Sequence, residues 1–447
     1  MDAEEVKRIV RETNYVTWRR QGGWDPLVVV RAEGSSFWDS SGKEYLDLSS
    51  QLIATNLGHG NAAVAEAIAE QARNLAYAAP SFATEARAKA SAALLEVLPP
   101  HLNRFFFSTS GTEAVEAALK IARAVKSRSK VVSRYRSYHG STAASISVTG
   151  DLRRRPIEGI ERVPGTIFAP DCYCYRCPFG LTYPGCGVAC AEYVDYQLER
   201  EGNVAAMIVE PVVGTNGVIV PVPEYLPRIR AITKAHDVLL IADEVMSAWG
   251  RVGEWFAVDH WGVHPDILTT AKGITGAQIP LGLTATTSAI HDAFRETYFP
   301  HGHTYEAHPL TLAPAAVAIN EYKRLGLLEK SRKDGEYLLA RLKEIAEKHP
   351  SVGEVRGLGL FAAVDLVKNR KTREPFNTEE DKRAGRPLVV DLVTGAMMKA
   401  GVFCIGWVSH LVIAPPLIVT RAELDKGLEA LDHALRLADE KVEAGAS

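Results

Sequence analysis

Two stretches decide the fold: VLLIADEV, residues 238 to 245, and DILTTAK, residues 266 to 272. Each is a short, largely apolar run of strand length that lacks the alternation of a half-exposed strand, so each reads as a strand covered on both faces. Working outward, FFFST (105–109) precedes the helical TEAVEAALKIARAVK (112–126), and AAMIVEP (205–211) precedes PEYLPRIRAITKAHD (223–237). Upstream, residues 63–76 and 85–97 carry apolar positions at three- and four-residue spacing, the mark of helices with one buried face. Apolar strands alternating with amphipathic helices define an α/β chain built on a mostly parallel sheet.

The last third changes character. Helical stretches near 310–325, 331–348 and 420–439 are separated by shorter strand-like pieces (LGLFAAVDLV, GVFCI, LVIAP), which predicts a second, smaller α+β domain joined near residue 320. Lys368 to Arg386 reads as an exposed polar loop. The chain has 447 residues, of which 47% are hydrophobic and 23% charged, and a net charge of −3. These values exclude disordered, collagen-like and coiled-coil classes, and they provide no basic footprint for nucleic acid or an anionic membrane. Met1 to Glu12 is charged and lacks the apolar core of a signal peptide, and no run approaches a bilayer span, so a soluble cytoplasmic protein is expected.

The chemistry collects at strand ends. Asp243 and Val245 point to one side of their strand, offering a carboxylate and an apolar surface together. Such a carboxylate can hold a metal, pair with a cation, or accept a proton from a protonated ring nitrogen. The Asp-Glu ending also resembles the magnesium strand of a nucleotide hydrolase, but the GxxxxGK[ST] loop which that chemistry needs is missing. Lys272 closes the next strand, where a parallel sheet presents ligands and a desolvated amine can form a Schiff base. Taken alone, it reads more readily as a surface lysine at a strand end. Ser110, Gly111 and Thr112 open a helix and form either a phosphate cradle or an ordinary cap. Tyr138, followed by His139 and Gly140, lies after the strand KVVSRY; it is either a ring laid over a flat ligand or a core tyrosine.

Phosphate cradle, stacking ring, carboxylate with apolar floor and strand-end lysine are together the requirements of pyridoxal phosphate. From Asn56 to Pro416 the sequence resembles the class III (ω-amino acid) aminotransferases of fold type I, with SGTEAVEAALKIAR, YHG, EPVVGTNGVIVP, LLIADEVMSAWGRVGEWFA, PDILTTAKGI and HGHTYEAHP in the family's order. The resemblance implies an N-terminal segment (1–55) packed with the small domain, a large cofactor-binding domain (56–320) and a small α+β domain (321–447). It implies that Lys272 binds the cofactor covalently, that Asp243 holds the pyridine nitrogen, and that Val245 and Tyr138 cover the two ring faces. Ser110, Gly111, Thr112 and His139 fall to the cofactor site, Glu210 near the cofactor. Thr304 would complete the phosphate cradle from a neighbouring subunit, making a homodimer, or a dimer of dimers, the expected assembly.

A transaminase admits an amine donor and a keto-acid acceptor in turn, which calls for a carboxylate-binding arginine able to move aside. Arg421, in APPLIVTRAELD, resembles the mobile arginine of amine:pyruvate members; otherwise it opens a helix capped by Thr420 and Glu423. The ornithine- and γ-aminobutyrate-type members carry an arginine where this chain has Val412, which weakens those two readings, and the resemblance to amine:pyruvate members implies pyruvate or a similar keto acid as the acceptor. Ile53 stands where the amine:pyruvate members often have tryptophan. Ile53, Phe82, Tyr138 and Trp249 are the expected pocket walls, with Tyr15 and Trp18 as further contributors; Ile53 and Phe82 read equally as core. The donor stays open among arylalkylamines, taurine, β-alanine, γ-aminobutyrate and diamines, and the scaffold also supports aminomutase, epimerase or decarboxylase chemistry. A non-catalytic cofactor-binding regulator is opposed by the intact Lys272 and Asp243.

Five of six cysteines, Cys172, Cys174, Cys177, Cys186 and Cys190, crowd one segment. Their spacing matches no standard zinc or iron–sulfur pattern, so no metal is expected there, and a local disulfide or buried bracing thiols are. His301 and His303 fall in the HGHT loop, which the resemblance assigns to phosphate binding.

Overall fold

The computed structural model describes residues 1–160 and 162–442; residues 443–447, the end of the expected small domain, lie outside them. Seven strands form the central sheet in the order Arg104–Ser108, Gly282–Thr286, Ile267–Thr270, Leu239–Asp243, Val204–Val209, Lys130–Arg134, Thr166–Ala169. All run parallel except Gly282–Thr286, which is antiparallel to both neighbours.

Strand alternation explains why the central runs are apolar throughout. Ala206, Ile208, Leu239 and Ile241 enter the cluster beneath helix Gly111–Lys126, with Val115, Ala118 and Leu119. Met207, Val209, Leu240 and Ala242 enter a second, larger cluster on the other face. A strand sandwiched in this way has no polar face to show, as the reading of VLLIADEV requires. Asp243 lies at the carboxyl end of its strand, with Lys272 just past the neighbouring one, and open α/β sheets form their ligand crevice at that edge.

Two smaller sheets flank this core. Val29–Glu33, Ser36–Asp39 and Glu44–Asp47 form a meander that Val402–Phe403 extends in parallel. Val352–Gly357, Ala362–Asn369, His410–Ile413 and Ile405–Trp407 form an antiparallel sheet, with Glu374–Pro375 on Ala362–Asn369. The join expected near residue 320 falls within helix Pro309–Arg324, which packs on Ala62–Asn74 and Glu85–Leu95. The stretch Lys368–Arg386, expected as a loop, also holds a short helix, Glu379–Ala384. Its start is fixed by a reciprocal cap between Thr378 and Asp381, a local signal too short to show as periodicity.

One side chain ties the parts together. The guanidinium of Arg251, wholly buried, donates to the carbonyls of Leu360 (2.9 Å) and Pro415 (2.6 Å), to Ser50 Oγ (3.0 Å) and to Asn56 Oδ1 (2.8 Å). Burial without a carboxylate partner lowers it to about 10. Among the described residues no helix is long and apolar enough to cross a membrane.

Candidate active site

The strand ends converge on a cavity of about 250 Å³ whose walls include Gly111, Thr112, Tyr138, Asp243, Val245 and Lys272. Helix Gly111–Lys126 begins there, its N-cap Ser110 accepting from the Glu113 N–H. A helix start turns free N–H groups and the positive end of its dipole toward the cavity, which favours an anion. The cradle leaves no room for larger residues: a Cβ on Gly111 would lie 2.8 Å from Val245 Cγ1, and one on Gly140, at φ +134°, 2.2 Å from Thr112 Oγ1. Thr112 Oγ1 in turn meets the Ser141 N–H at 3.0 Å and Ser145 Oγ at 2.7 Å.

Asp243 is 3% exposed. Its Oδ2 lies 2.7 Å from His139 Nδ1, and its Oδ1 accepts from the Val245 N–H at 3.1 Å. A buried carboxylate held by two donors stays fixed in direction. Glu210, which also lines the cavity, accepts from the Tyr138 N–H (3.0 Å) and the Gly214 N–H (2.8 Å), and burial raises its carboxyl. Lys272 follows Ile267–Thr270 in left-handed backbone, φ +47°. Lost hydration lowers its ammonium to about 8, against the opposing pull of Asp243 and Glu210; Arg153 pushes it down further. Its amine therefore carries a usable lone pair near neutrality. Helix start, directed carboxylate, apolar floor at Val245 and near-neutral lysine together fit the phosphate, ring nitrogen, ring face and aldehyde of pyridoxal phosphate.

Other expected residues sit elsewhere. Trp249 is 1% exposed and donates from Nε1 to Thr270 Oγ1 at 2.8 Å, packed among Trp255, Phe256 and Tyr322. It lies in the core under the Lys272 turn, where a Cβ on Gly273 would touch it, and does not wall the cavity. Ile53 is likewise core, packed with Val212, Phe361 and Val412. Phe82 is 65% exposed and Thr304 is exposed, its carbonyl accepting from Tyr77; neither lines the cavity.

Arg421 is not brought to the cavity either. It opens the last helix inside the Thr420–Glu423 capping box, pairs with Asp334 at 3.2 Å and stacks over Tyr337, with its side chain 58% exposed. Tyr15 is exposed, whereas Trp18 stands edge-on to Tyr138 at 6.2 Å. Met246, Ala271 and Ser141 also line the wall; Met246 and Ala271 sit in the quoted motifs but carry no polar group to mark them as site residues, and Ser141 follows YHG. Sequence reading also passed over Arg153, whose guanidinium lies 3.7 Å from the Tyr138 ring centre. All six cysteines are free thiols, and buried Cys172 accepts from Arg134 at 3.2 Å.

Comparison with known proteins agrees with this geometry. Residues 19–435 match the model of the aminotransferase class-III family. The chain is 35% identical to a leucine/methionine racemase of Thermococcus litoralis, over 98% of this chain and 95% of that one. It is 34% identical to the putrescine–pyruvate aminotransferase of Pseudomonas aeruginosa, over 89% and 88%. Among solved structures it is similar to the taurine:2-oxoglutarate aminotransferase of Bifidobacterium kashiwanohense in complex with PLP and glutamate, with a TM-score of 0.93 and 35% identity over 98% and 99% of the two chains. With fold, cavity and sequence in agreement over nearly its whole length, the chain belongs to the class III aminotransferases, enzymes of fold type I that use pyridoxal phosphate.

Proposed function

We propose that this enzyme moves an amino group from a primary amine or ω-amino acid to pyruvate or a similar keto acid. The observation that carries the reading is a lysine amine lowered to about 8 in the same cavity as a buried, doubly hydrogen-bonded Asp243. The putrescine–pyruvate relative supports the acceptor. When bound, pyridoxal phosphate supplies the electron sink that makes the substrate's Cα acidic.

The residues divide the remaining work. Asp243 holds the ring nitrogen's proton, and His139 keeps Asp243 aimed. Ser110, Gly111 and Thr112 receive the phosphate, while Val245 and Tyr138 press the ring between them. Glu210 fixes the Tyr138 backbone and thereby the ring's upper face. Lys272 Nζ would hold the cofactor at rest and, when free, would act as the base that takes the substrate's Cα proton and as the acid that gives it back.

A homodimer belongs to the same reading. Thr304 is exposed beside Tyr77 and Tyr305, and a hollow of about 800 Å³ lined by Phe299, His301 and His303 opens nearby, a surface suited to a second copy whose Thr304 would reach the phosphate. Six free thiols support a cytoplasmic location, since reducing compartments keep thiols unpaired. Mixing Lys272→Ala and Thr304→Ala subunits tests the shared site: activity recovered in the mixture supports it, and none rejects it.

The function itself is tested by the cofactor's spectrum. Loss of the lysine-bound band on adding an amine, and its return with pyruvate, is the expected result; a band that no amine bleaches rejects transamination. The Thermococcus relative favours a second reading, racemisation of an amino acid. Deuterium entering Cα in D₂O with no amino transfer would select it.

A further inference from the structure

Arg134 ends the strand Lys130–Arg134 and is wholly buried, yet among the described residues no carboxylate touches its guanidinium. Burying such a charge is costly, and apolar side chains fill a core position without that cost. Its Nε finds no acceptor at all. The two other nitrogens reach out to the neighbouring strands on either side. Nη2 donates to the carbonyl of Glu210, just past Val204–Val209, and Nη1 donates to Cys172 Sγ at 3.2 Å, shortly past Thr166–Ala169. Those strands flank Lys130–Arg134 in parallel, so one side chain fastens three strand ends at the edge where the cavity opens.

What it fastens leads to the cofactor site. The side chain of Glu210 accepts from the Tyr138 N–H at 3.0 Å and the Gly214 N–H at 2.8 Å. The Arg134 carbonyl accepts from Ser137 Oγ at 2.8 Å, which ties the turn that carries Tyr138. Tyr138 and Glu210 line the cavity, whereas Arg134 and Cys172 stand behind them. Of the five clustered cysteines, Cys172 alone is buried.

We propose that Arg134 is a positioning residue, seated on the Cys172 thiol, that sets the Glu210 backbone and through it the place of the Tyr138 ring over the cofactor. This rests on the reading that Tyr138 covers the cofactor ring, and extends it to the groups behind that wall. A thiol suits the seat. Being a weak, uncharged acceptor, it holds one end of the fork without the charge-assisted pull by which a carboxylate would draw the guanidinium away from Glu210.

The visible circular dichroism of the full-length holoenzyme reports how the ring is held, and melting temperature reports the fold. Cys172→Ala removes the seat: the ellipticity per bound cofactor should change and kcat should fall about 10- to 100-fold, the scale of an ångström-sized misplacement, with KM for amine and pyruvate little altered. Cys172→Ser, whose hydroxyl accepts from the same Nη1, should recover most of both signals. In a Glu210→Ala background the link to Tyr138 is already cut, so adding Cys172→Ala should cost nothing more. Wild-type ellipticity and kcat in Cys172→Ala, an equal loss in Cys172→Ser, or a full further loss on top of Glu210→Ala overturns the proposal. Where Cys172→Ala fails to fold, Arg134→Lys decides: it retains the charge but reaches one acceptor only, so a smaller loss of both signals is expected and wild-type values reject the role. If the wild type transfers no amino group, the transaminase reading falls, while the ellipticity still decides the part played by Arg134.

Discussion

His139 Nδ1 and Asp243 Oδ2 lie 2.7 Å apart, both almost without surface. The carboxylate meant for the cofactor is thus held from behind by an imidazole on a different strand's loop. Removing that partner in His139→Ala leaves Asp243 with the Val245 N–H alone. Outer partners of site ligands typically contribute about 10- to 100-fold in activity, so kcat should fall by that order with the cofactor still bound. Asp243→Asn, which removes the proton acceptor itself, should cost about 10²- to 10⁴-fold. Single-turnover half-reactions measure both; an unchanged kcat in His139→Ala would remove the histidine from the mechanism.

Lys272 makes the cofactor-free protein pH-sensitive. Its folded value, about 8, lies below the ordinary 10.5. Between those values the unfolded chain binds more protons than the folded one, so stability at this site rises with pH across that window and is fully penalised below it. Lys272→Met should therefore melt higher than wild-type apoprotein at pH 7, with the gap closing as pH climbs from about 8 to 10.5. Thermal scans of the two apoproteins at pH 7 and 10 test the trend.

Glu244, adjacent to Asp243, is completely buried, accepting from Ser247 Oγ and from the Val258 N–H at 2.8 Å. Burial raises its carboxyl to about 7. The folded state then binds more protons between pH 4.5 and 7, and its stability falls as pH rises through that range. The isosteric Glu244→Gln should gain about 1–3 kcal/mol at pH 8 and nothing at pH 4. Urea unfolding at the two pH values decides it, and an equal effect at both contradicts the assignment.

Arg421→Ala removes an exposed ion pair to Asp334 and a stack on Tyr337. Such pairs contribute about 0–1 kcal/mol. The melting temperature should drop slightly, and KM for keto acids should stay where it is. A large rise in KM for pyruvate, with neutral amines unaffected, would return Arg421 to the site.

The parts legible in sequence are those fixed by strand ends. Once VLLIADEV and DILTTAK are strands of one parallel sheet, Asp243 and Lys272 must emerge at the same edge, and Ser110-Gly111-Thr112 must cap the helix facing them. Arg153 and Trp407, whose side chains stack, escaped because 254 positions separate them in sequence and no local period encodes their meeting. Trp249 and Ile53 went to the core for the opposite reason: a large apolar residue near a site motif carries no signal of which way it faces. Arg421 shows a further ambiguity, since one arginine after a threonine satisfies both a helix cap and a family motif.

Arg251 sets a condition on the whole chain. Its guanidinium is delivered from just past the Asp243 strand, yet it is satisfied by atoms from the N-terminal segment and from two stretches beyond residue 350. Excising either end strands a buried cation, so the pieces that look separable on a contour map are not autonomous. Attempts to shuffle the small domain between relatives, or to permute the chain at residue 320, must carry those four acceptors along as a unit.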